Sequence, residues 1–359
     1  MYMKLIHCAD LHLDSRMESG LSAEKALERR LELLRTFTRM VEQAEKEQVE
    51  AVLICGDLFD ARTISVRAGN CVLDAIRMHP QIIFYYLQGN HDQNGFLDGS
   101  RPLPENLRTF GSDWTSYEQG NVTITGAELS EETGEDLMER LVLDRNRQNI
   151  VMLHGMITEY GGKDQTDVFS VRALRGKGID YLALGHIHSY RLERLDDRGV
   201  WCYSGCMEGR GFDECGEKGY VALEAAGGRI VPSFVPFAER TLHEVPVDVT
   251  GMLTQEEIRR KILKELASIP QKDMVRICLT GRVDPEAERD PEWIRKWLED
   301  AYYFLKVKDK TRLRIRPEDY QYDVSLKGEF IRLVLASDLA DNEKEEILQR
   351  GIHALAGEG

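Results

Sequence analysis

The sequence predicts an α/β protein of two domains. Short apolar runs rich in β-branched and aromatic residues alternate with helical patterns through the first half of the chain. The polar residues able to do chemistry follow directly after those runs, where open α/β sheets place their ligand sites. At 359 residues, the chain is about twice the length of a typical domain.

Met3 to Cys8 reads as the first strand. Between Ser22 and Gln48, apolar residues at Leu27, Leu31, Leu34, Val41 and Ala44 keep near-helical spacing among charges, and Ser22 supplies an N-cap. The segment is therefore an amphipathic crossover helix. Ala51 to Cys55, Ile82 to Leu87, Ile150 to Leu153 and Tyr181 to Leu184 read as buried strands, each short and bounded by Gly or polar residues. From about Val200 the pattern changes to short strands separated by Gly-rich turns: Val200 to Tyr203, Tyr220 to Leu223 and Ile230 to Val235. These form a second sheet or the far edge of the first. A boundary falls near Arg240, after which come the strand-like Leu242 to Val249 and a helix over Gln255 to Leu266. Asn342 to Leu355 closes the chain as a charged helix with Ile347, Leu348, Ile352 and Leu355 on one stripe.

Composition excludes several classes. With 42% hydrophobic and 30% charged residues the chain is an ordinary globular protein, neither disordered nor fibrous. Its longest apolar runs fall far short of the ~20 residues of a bilayer span. His7 and Asp10 interrupt the first apolar stretch before it could act as a secretory signal. Seven cysteines without a C-x-x-C pair fit a reducing compartment, so a cytoplasmic location is expected. The net charge of −15 repels nucleic acid at long range, and a phosphate-bearing substrate has to be met by local cations.

Five motifs stand at strand ends: Asp10-Leu11-His12, Gly56-Asp57-Leu58-Phe59-Asp60, Gly89-Asn90-His91-Asp92, His154-Gly155 and Gly185-His186-Ile187-His188. Five of the nine histidines of the chain lie in them, which chance does not explain. Mixed imidazole, carboxylate and amide donors suit Mn²⁺, Fe²⁺ or Zn²⁺, and the absence of cysteine disfavours structural zinc. Two carboxylates, one amide and four imidazoles exceed what one ion takes, and a shared carboxylate lets two ions sit about 3.5–4 Å apart.

In this order the motifs resemble those of the calcineurin-like metallophosphoesterases. Cys8-Ala9-Asp10-Leu11-His12-Leu13-Asp14 together with Gly56 to Asp60, and further on Tyr203-Ser204-Gly205 and Gly216-Glu217-Lys218-Gly219, resemble more narrowly the SbcD-type DNA-repair exonucleases and their YhaO-like bacterial branch. The resemblance implies an αββα sandwich of mixed sheets with a smaller α+β capping domain. It divides the chain into a catalytic domain over 1–240, a DNA-facing cap over 241–335 and a helical tail over 336–359. It also implies two divalent ions, Mn²⁺ foremost, with Fe²⁺, Zn²⁺ or Mg²⁺ as alternatives. Asp10, His12, Asp57 and His188 would bind one, and Asp57, Asn90, His154 and His186 the other. His91 would stay off the metals and face the scissile phosphate. Asp60 stands where some archaeal members carry a second His; here its carboxylate could fix the tautomer of His91, as in the Asp–His pair of related protein phosphatases.

Other features have plainer readings. Asp14 and Asp92 serve as turn residues that satisfy backbone N–H groups, and His7, His79, His243 and His353 as ordinary structural residues. Cys202, Cys206 and Cys215 match no zinc spacing and read as small core or loop residues. Lys306, Lys308, Lys310, Arg312, Arg314 and Arg316 alternate, so a continuous strand would present them as one DNA-tracking ridge, whereas a turn at Asp309-Lys310 would leave them as solvated charges.

The expected function is a two-metal DNA nuclease in DNA repair. Its partners would be DNA, an SMC-like ATPase of the SbcC type and a second nuclease subunit, with no membrane. A small-molecule or cyclic-nucleotide phosphodiesterase or phosphatase is the alternative. Ala61 and Asp92 stand where a protein phosphatase would carry Arg and Glu.

Overall fold

A computed structural model describes residues 2–17, 20–60, 64–92, 96–97, 102–129, 134–159, 167–288 and 290–355. The chain divides into two compact units, Met1–Thr241 and Leu242–Gly359. In the first, the elements run β1 (Met3–Cys8), α1 (Ala23–Lys46), β2 (Ala51–Cys55), α2 (Val66–Met78), β3 (Ile83–Leu87) and β4 (Leu107–Thr109). Next come β5 (Thr115–Gln119), β6 (Val122–Gly126), α3 (Gly134–Arg140), β7 (Gln148–His154), β8 (Met156–Thr158) and β9 (Val168–Ser170). The unit closes with β10 (Tyr181–Gly185), β11 (Arg191–Arg194), β12 (Val200–Tyr203), β13 (Gly219–Ala226) and β14 (Arg229–Pro236).

Two six-stranded sheets result, ordered β14-β13-β1-β2-β3-β4 and β11-β12-β10-β7-β6-β5. β1 to β4 are mutually parallel, as are β6, β7, β10 and β12, while antiparallel strands complete the edges. Both sheets are therefore mixed. Alternation along each strand sorts the side chains into layers. Leu5, Leu53, Tyr85 and Leu87 meet Ile124, Ile150, Met152 and Tyr181 in the core between the sheets. The opposite faces take Ile6, Val52, Ile54 and Phe84 against Phe37, Met40 and Val41 of α1 and Val72 and Ile76 of α2. On the second sheet, Val151, Leu153 and Leu182 pack against Leu137 and Met138 of α3. This is the αββα sandwich. In α1 the Ser22 hydroxyl accepts from the Lys25 N–H as a cap. Leu27, expected on the buried stripe, is exposed instead, because the buried face turns through Leu33, Leu34, Phe37, Met40 and Val41.

The second unit runs β15 (Leu242–Asp248), α4 (Gln255–Leu266), β16 (Met274–Thr280), β17 (Arg282–Val283), α5 (Pro291–Trp297), β18 (Phe304–Asp309), β19 (Arg312–Leu313), α6 (Pro317–Tyr320), α7 (Leu326–Ala336) and α8 (Asp341–Leu355). β15, β16 and β18 form a parallel sheet, and β17 pairs with β19 apart from it. A capping box between Thr254 and Glu257 starts α4. The helix placed in the tail over 336–359 packs into this unit's own core through Leu348 and Ile352. The six alternating cations do not lie on one strand: β18 ends at Asp309, and Arg312 belongs to the second small sheet. Lys310 pairs with Glu244 and Arg312 with Glu345, each at 3.4 Å. Lys306, Lys308, Lys310, Arg312, Arg314 and Arg316 are all exposed, but as two short groups broken by a turn. Among the described residues no helix is long and apolar enough to cross a membrane.

Candidate metal centre

Parallel strands carry all seven expected donors at or just past their C-terminal ends: Asp10 and His12 after β1, Asp57 after β2, Asn90 after β3, His154 at the end of β7, and His186 and His188 after β10. Both sheets contribute. The loops after β1 and β2 are zipped together, with Asp10 N–H donating to Gly56 O (3.1 Å), His12 N–H to Asp57 O (3.0 Å) and Leu13 N–H to Leu58 O (2.9 Å). Asp10, His12, Asp57 and His186 hold positive φ angles of 51°, 45°, 51° and 102°. Non-glycine residues rarely adopt such angles, which persist where surrounding structure over-determines them and cluster at functional sites. Gly89 leaves room for Asp57, since a Cβ there would lie 2.2 Å from Asp57 Oδ1.

Among the described residues donor atoms converge in three groups, of which one joins His12, Asp60 and His91 and the other two hold only expected ligands. In these two groups the donor atoms of Asp10, His12 and His188 lie within 4.8 Å of one another, as do those of Asp10, Asp57 and His154. His12 Nε2 is 3.1 Å from His188 Nε2 and 3.8 Å from Asp57 Oδ2. His154 Nε2 is 3.4 Å from Asp57 Oδ2 and 3.0 Å from Asn90 Oδ1. Asp57 thus stands between the groups. His186 stacks edge-on to His154 at 5.5 Å between ring centroids, its backbone N–H donates to both Asp10 oxygens, and its ring Nε2 lies 3.7 Å from Asp167 Oδ2.

A cation fits this arrangement for a reason of hydrogen-bond polarity. The carbonyl of Cys55 can only accept, so the 2.9 Å contact requires His154 Nδ1 to donate, which turns the lone pair of Nε2 toward Asn90 and Asp57. Glu214 accepts from His188 Nδ1 at 2.7 Å and turns that Nε2 toward His12. The Nε2 atoms of His154 and His188 thus turn into a centre crowded with carboxylate and amide oxygens, where positive charge, a metal ion or in its place a proton on an imidazole, relieves the crowding. The titration directions agree. Burial alone would lower His154, but the hydrogen bond and charge of Asp57, with Asp10 and the Cys55 carbonyl, carry it up to about 9. Burial pushes Asp10 up to about 6 against the pull of His154 and His188. Burial opposes ionisation of Asp57 as well, yet His154 and His12 bring it down to about 2. With oxygen and nitrogen donors only, the set suits divalent cations of hard or borderline character.

His91 is half exposed, and its backbone N–H donates to Asp57 Oδ1 (3.0 Å). Its Nδ1 lies 3.2 Å from Asp60 Oδ1. Asp60 also lies 3.5 Å from His12 Nδ1 and accepts from Ser15 Oγ (2.9 Å) and Arg210 Nη1 (3.1 Å). Asp92 is buried and accepts backbone N–H groups of Leu58 (3.2 Å), Phe59 (3.0 Å) and Gly89 (2.9 Å), a stapling role. Asp14 accepts from Ser65 N–H and pairs with Arg30. His7 bonds Tyr181 in the core, His79 bonds the Ala75 carbonyl and His243 pairs with Asp273, while the His353 side chain lies outside the described residues. Cys202 and Cys206 are buried and Cys215 half-buried, with no cysteine in the described donor groups. Ser15, Asp167, Arg210 and Glu214 escaped the sequence reading. Arg210 and Glu214 sit in the segment read through its cysteines and glycines, where two opposite charges amid small residues were the available signal.

The profile of the calcineurin-like phosphoesterases matches residues 3–190, more than half of the chain, and the protein belongs to that family. Its members use two divalent metal ions to hydrolyse phosphoesters. The chain is 26% identical over 309 residues to an uncharacterized metallophosphoesterase, YhaO, of Bacillus subtilis, covering 81% of this chain and 73% of that protein. It is 24% identical over 329 residues to the DNA double-strand break repair protein Mre11 of Sulfurisphaera tokodaii, with 86% and 81% covered. The protein of the same name from Sulfolobus acidocaldarius is 27% identical over 303 residues, with 78% and 76% covered.

Proposed function

We propose that the protein is a metal-dependent DNA nuclease of the SbcD/YhaO type, acting in DNA repair in the cytoplasm. One observation carries the reading: likeness to repair proteins named Mre11 covers up to 86% of the chain, more than the first unit alone, so it extends into the unit that hydrolysis of a small phosphoester does not require. Asp10, His12, Asp57 and His188 would hold one divalent ion and Asp57, Asn90, His154 and His186 the other, with Mn²⁺ as the leading candidate. When bound, such a pair activates water near neutral pH and offsets charge on the phosphoryl oxygens. His91, its Nδ1 engaged by Asp60, presents Nε2 to the scissile phosphate and stabilises the leaving oxygen. Asp60 fixes that tautomer. Lys306, Lys308, Lys310, Arg312, Arg314 and Arg316 would meet the DNA backbone as two short groups.

A second reading, a small-molecule phosphodiesterase, is favoured by charge. The first unit has 27 Lys and Arg against 38 Asp and Glu, a net −11 that repels a polyanion. End-labelled duplex, single-stranded and hairpin DNA digested with Mn²⁺, beside a generic phosphodiester, separate the two. His91→Gln should retain both metals and lose about 10²–10⁴ in rate. DNA left intact while the generic ester turns over would overturn the nuclease reading, and metal loss in His91→Gln would reassign His91 as a ligand.

The SbcD resemblance extends the proposal to an SMC-like ATPase of the SbcC type and to paired nuclease subunits. Deleting residues 339–359 is a poor test, because Leu348 and Ile352 are core residues. Leu333→Glu and Ile347→Glu alter exposed positions on α7 and α8 and should weaken co-purification with the ATPase. Unchanged co-purification would move the docking surface elsewhere.

A further inference from the structure

Residues 204–218 link β12 to β13 without regular structure, yet Ser204, Cys206, Met207, Glu208, Glu214 and Lys218 are buried. Buried charges anchor the segment. Glu208 accepts from Thr36 Oγ1 of α1 at 2.7 Å, Arg29 of α1 donates to the Gly209 carbonyl at 2.8 Å, and Lys218 Nζ donates to the His188 carbonyl at 2.7 Å. Between these anchors Arg210 and Glu214 reach the metal centre. Glu214 Oε1 accepts from His188 Nδ1 (2.7 Å) and Arg210 Nη2 (3.0 Å), while its Oε2 accepts from the Arg210 backbone N–H (2.7 Å). The other end of the same guanidinium donates to Asp60 Oδ2 at 3.1 Å. Asp60 Oδ1 in turn lies 3.2 Å from His91 Nδ1 and 3.5 Å from His12 Nδ1.

We infer that Arg210 and Glu214 are positioning residues that hold the His188 and His91 rings in register. Glu214 orients His188 directly, and Arg210 ties Glu214 to Asp60, which faces the Nδ1 of His91. Two carboxylates so close together would repel without the guanidinium between them, and the Nδ1 atoms of His188 and His91 would lose a fixed acceptor. The assignment rests on the reading of His12 and His188 as ligands. Its effect is selective. The Asp10/His12/Asp57/His188 site depends on this bridge, whereas His154 is oriented by the Cys55 carbonyl, which the bridge does not touch.

The test is Mn²⁺ binding to the full chain, by calorimetry and by electron paramagnetic resonance, in wild type, Glu214→Leu, Glu214→Gln, Arg210→Met and Arg210→Lys. Wild type should take up two equivalents. Glu214→Leu and Arg210→Met should each keep one equivalent at wild-type affinity and weaken the other by about 10–100-fold, the usual effect of removing a partner behind a metal ligand. Glu214→Gln should recover much of the loss, because its amide oxygen still accepts from His188, and Arg210→Lys should recover part. Two equivalents of unchanged affinity in both Glu214→Leu and Arg210→Met would overturn the assignment. So would equal weakening of both equivalents with Gln no better than Leu, the mark of a general packing role. A wild type that binds no Mn²⁺ would overturn the metal reading itself and this assignment with it.

Discussion

Replacing Asp92 with Ala removes one carboxylate and three hydrogen bonds at once. Its Oδ2 accepts from Leu58 N–H and Gly89 N–H, and its Oδ1 from Phe59 N–H. Bonds to a charged acceptor are worth about 1.5–3 kcal/mol each, so three represent roughly 5–9 kcal/mol gross. Against this stands the desolvation of a buried carboxylate, which pushes the Asp92 pKa upward and is relieved in the variant. A net loss of about 3–5 kcal/mol remains, which in a unit of this size lowers Tm by roughly 6–20 °C. Asp92→Asn should fall between, because one oxygen can still serve Leu58 and Gly89 while the amide NH₂ opposes the Phe59 N–H. Leu58 follows Asp57 and Gly89 precedes Asn90, so Mn²⁺ affinity should drop with stability. Thermal unfolding followed by circular dichroism in EDTA, with a parallel Mn²⁺ titration, measures both effects. An Asp92→Ala protein that melts within about 2 °C of wild type yet has lost turnover would refute the stapling argument and make Asp92 a substrate-facing group.

Gly89→Ala should abolish tight Mn²⁺ uptake while the far-ultraviolet spectrum stays native, since its Cβ would stand 2.2 Å from Asp57 Oδ1 and 2.5 Å from Asp57 N; unchanged uptake in calorimetry would show that the loop yields. Burial opposes ionisation of Glu214, but His188 and Arg210 hold its pKa at about 2, below the ordinary 4.5. Its ionised form therefore stabilises the fold fully above pH 4.5, and the contribution fades as pH falls toward 2. The stability gap between wild type and Glu214→Gln in EDTA should narrow on acidification, and urea midpoints that keep a constant gap between about pH 6 and pH 3 would contradict this sign. Leu348→Ala should destabilise the second unit by about 2–4 kcal/mol in denaturant unfolding, whereas a surface helix would lose under about 0.5 kcal/mol.

Much of the central sheet structure was legible because buried parallel strands announce themselves as continuous apolar runs. The runs beginning at Met3, Ala51 and Tyr181 became strands over nearly the expected lengths, and the helix expected over Gln255 to Leu266 has those bounds. Sheet membership was less visible. Nothing local distinguishes Val200 to Tyr203, which joins the second sheet, from Tyr220 to Leu223, which returns to the first beside β1. The helix over Val66–Met78 went unread because Gly69 and Asn70 dilute its apolar stripe. In the candidate site, clustering of histidines after strands revealed the donors. Glu214 was hidden, since its role arises from a fold that brings it to His188 across 26 positions of sequence.

The place of β1 inside its sheet depends on strands made much later. One side of Met3–Cys8 pairs with β2, but the other waits for β13, at residues 219–226, which is itself covered by β14. A chain that has emerged only as far as His188 already holds every donor of the metal centre, yet it offers an open, apolar strand edge able to recruit a neighbour. Ribosome-bound intermediates of this length should be chaperone clients, and a fragment cut near residue 190, where the family profile ends, should precipitate when made alone. Extending that fragment through Pro236 closes the edge and should return it to solution.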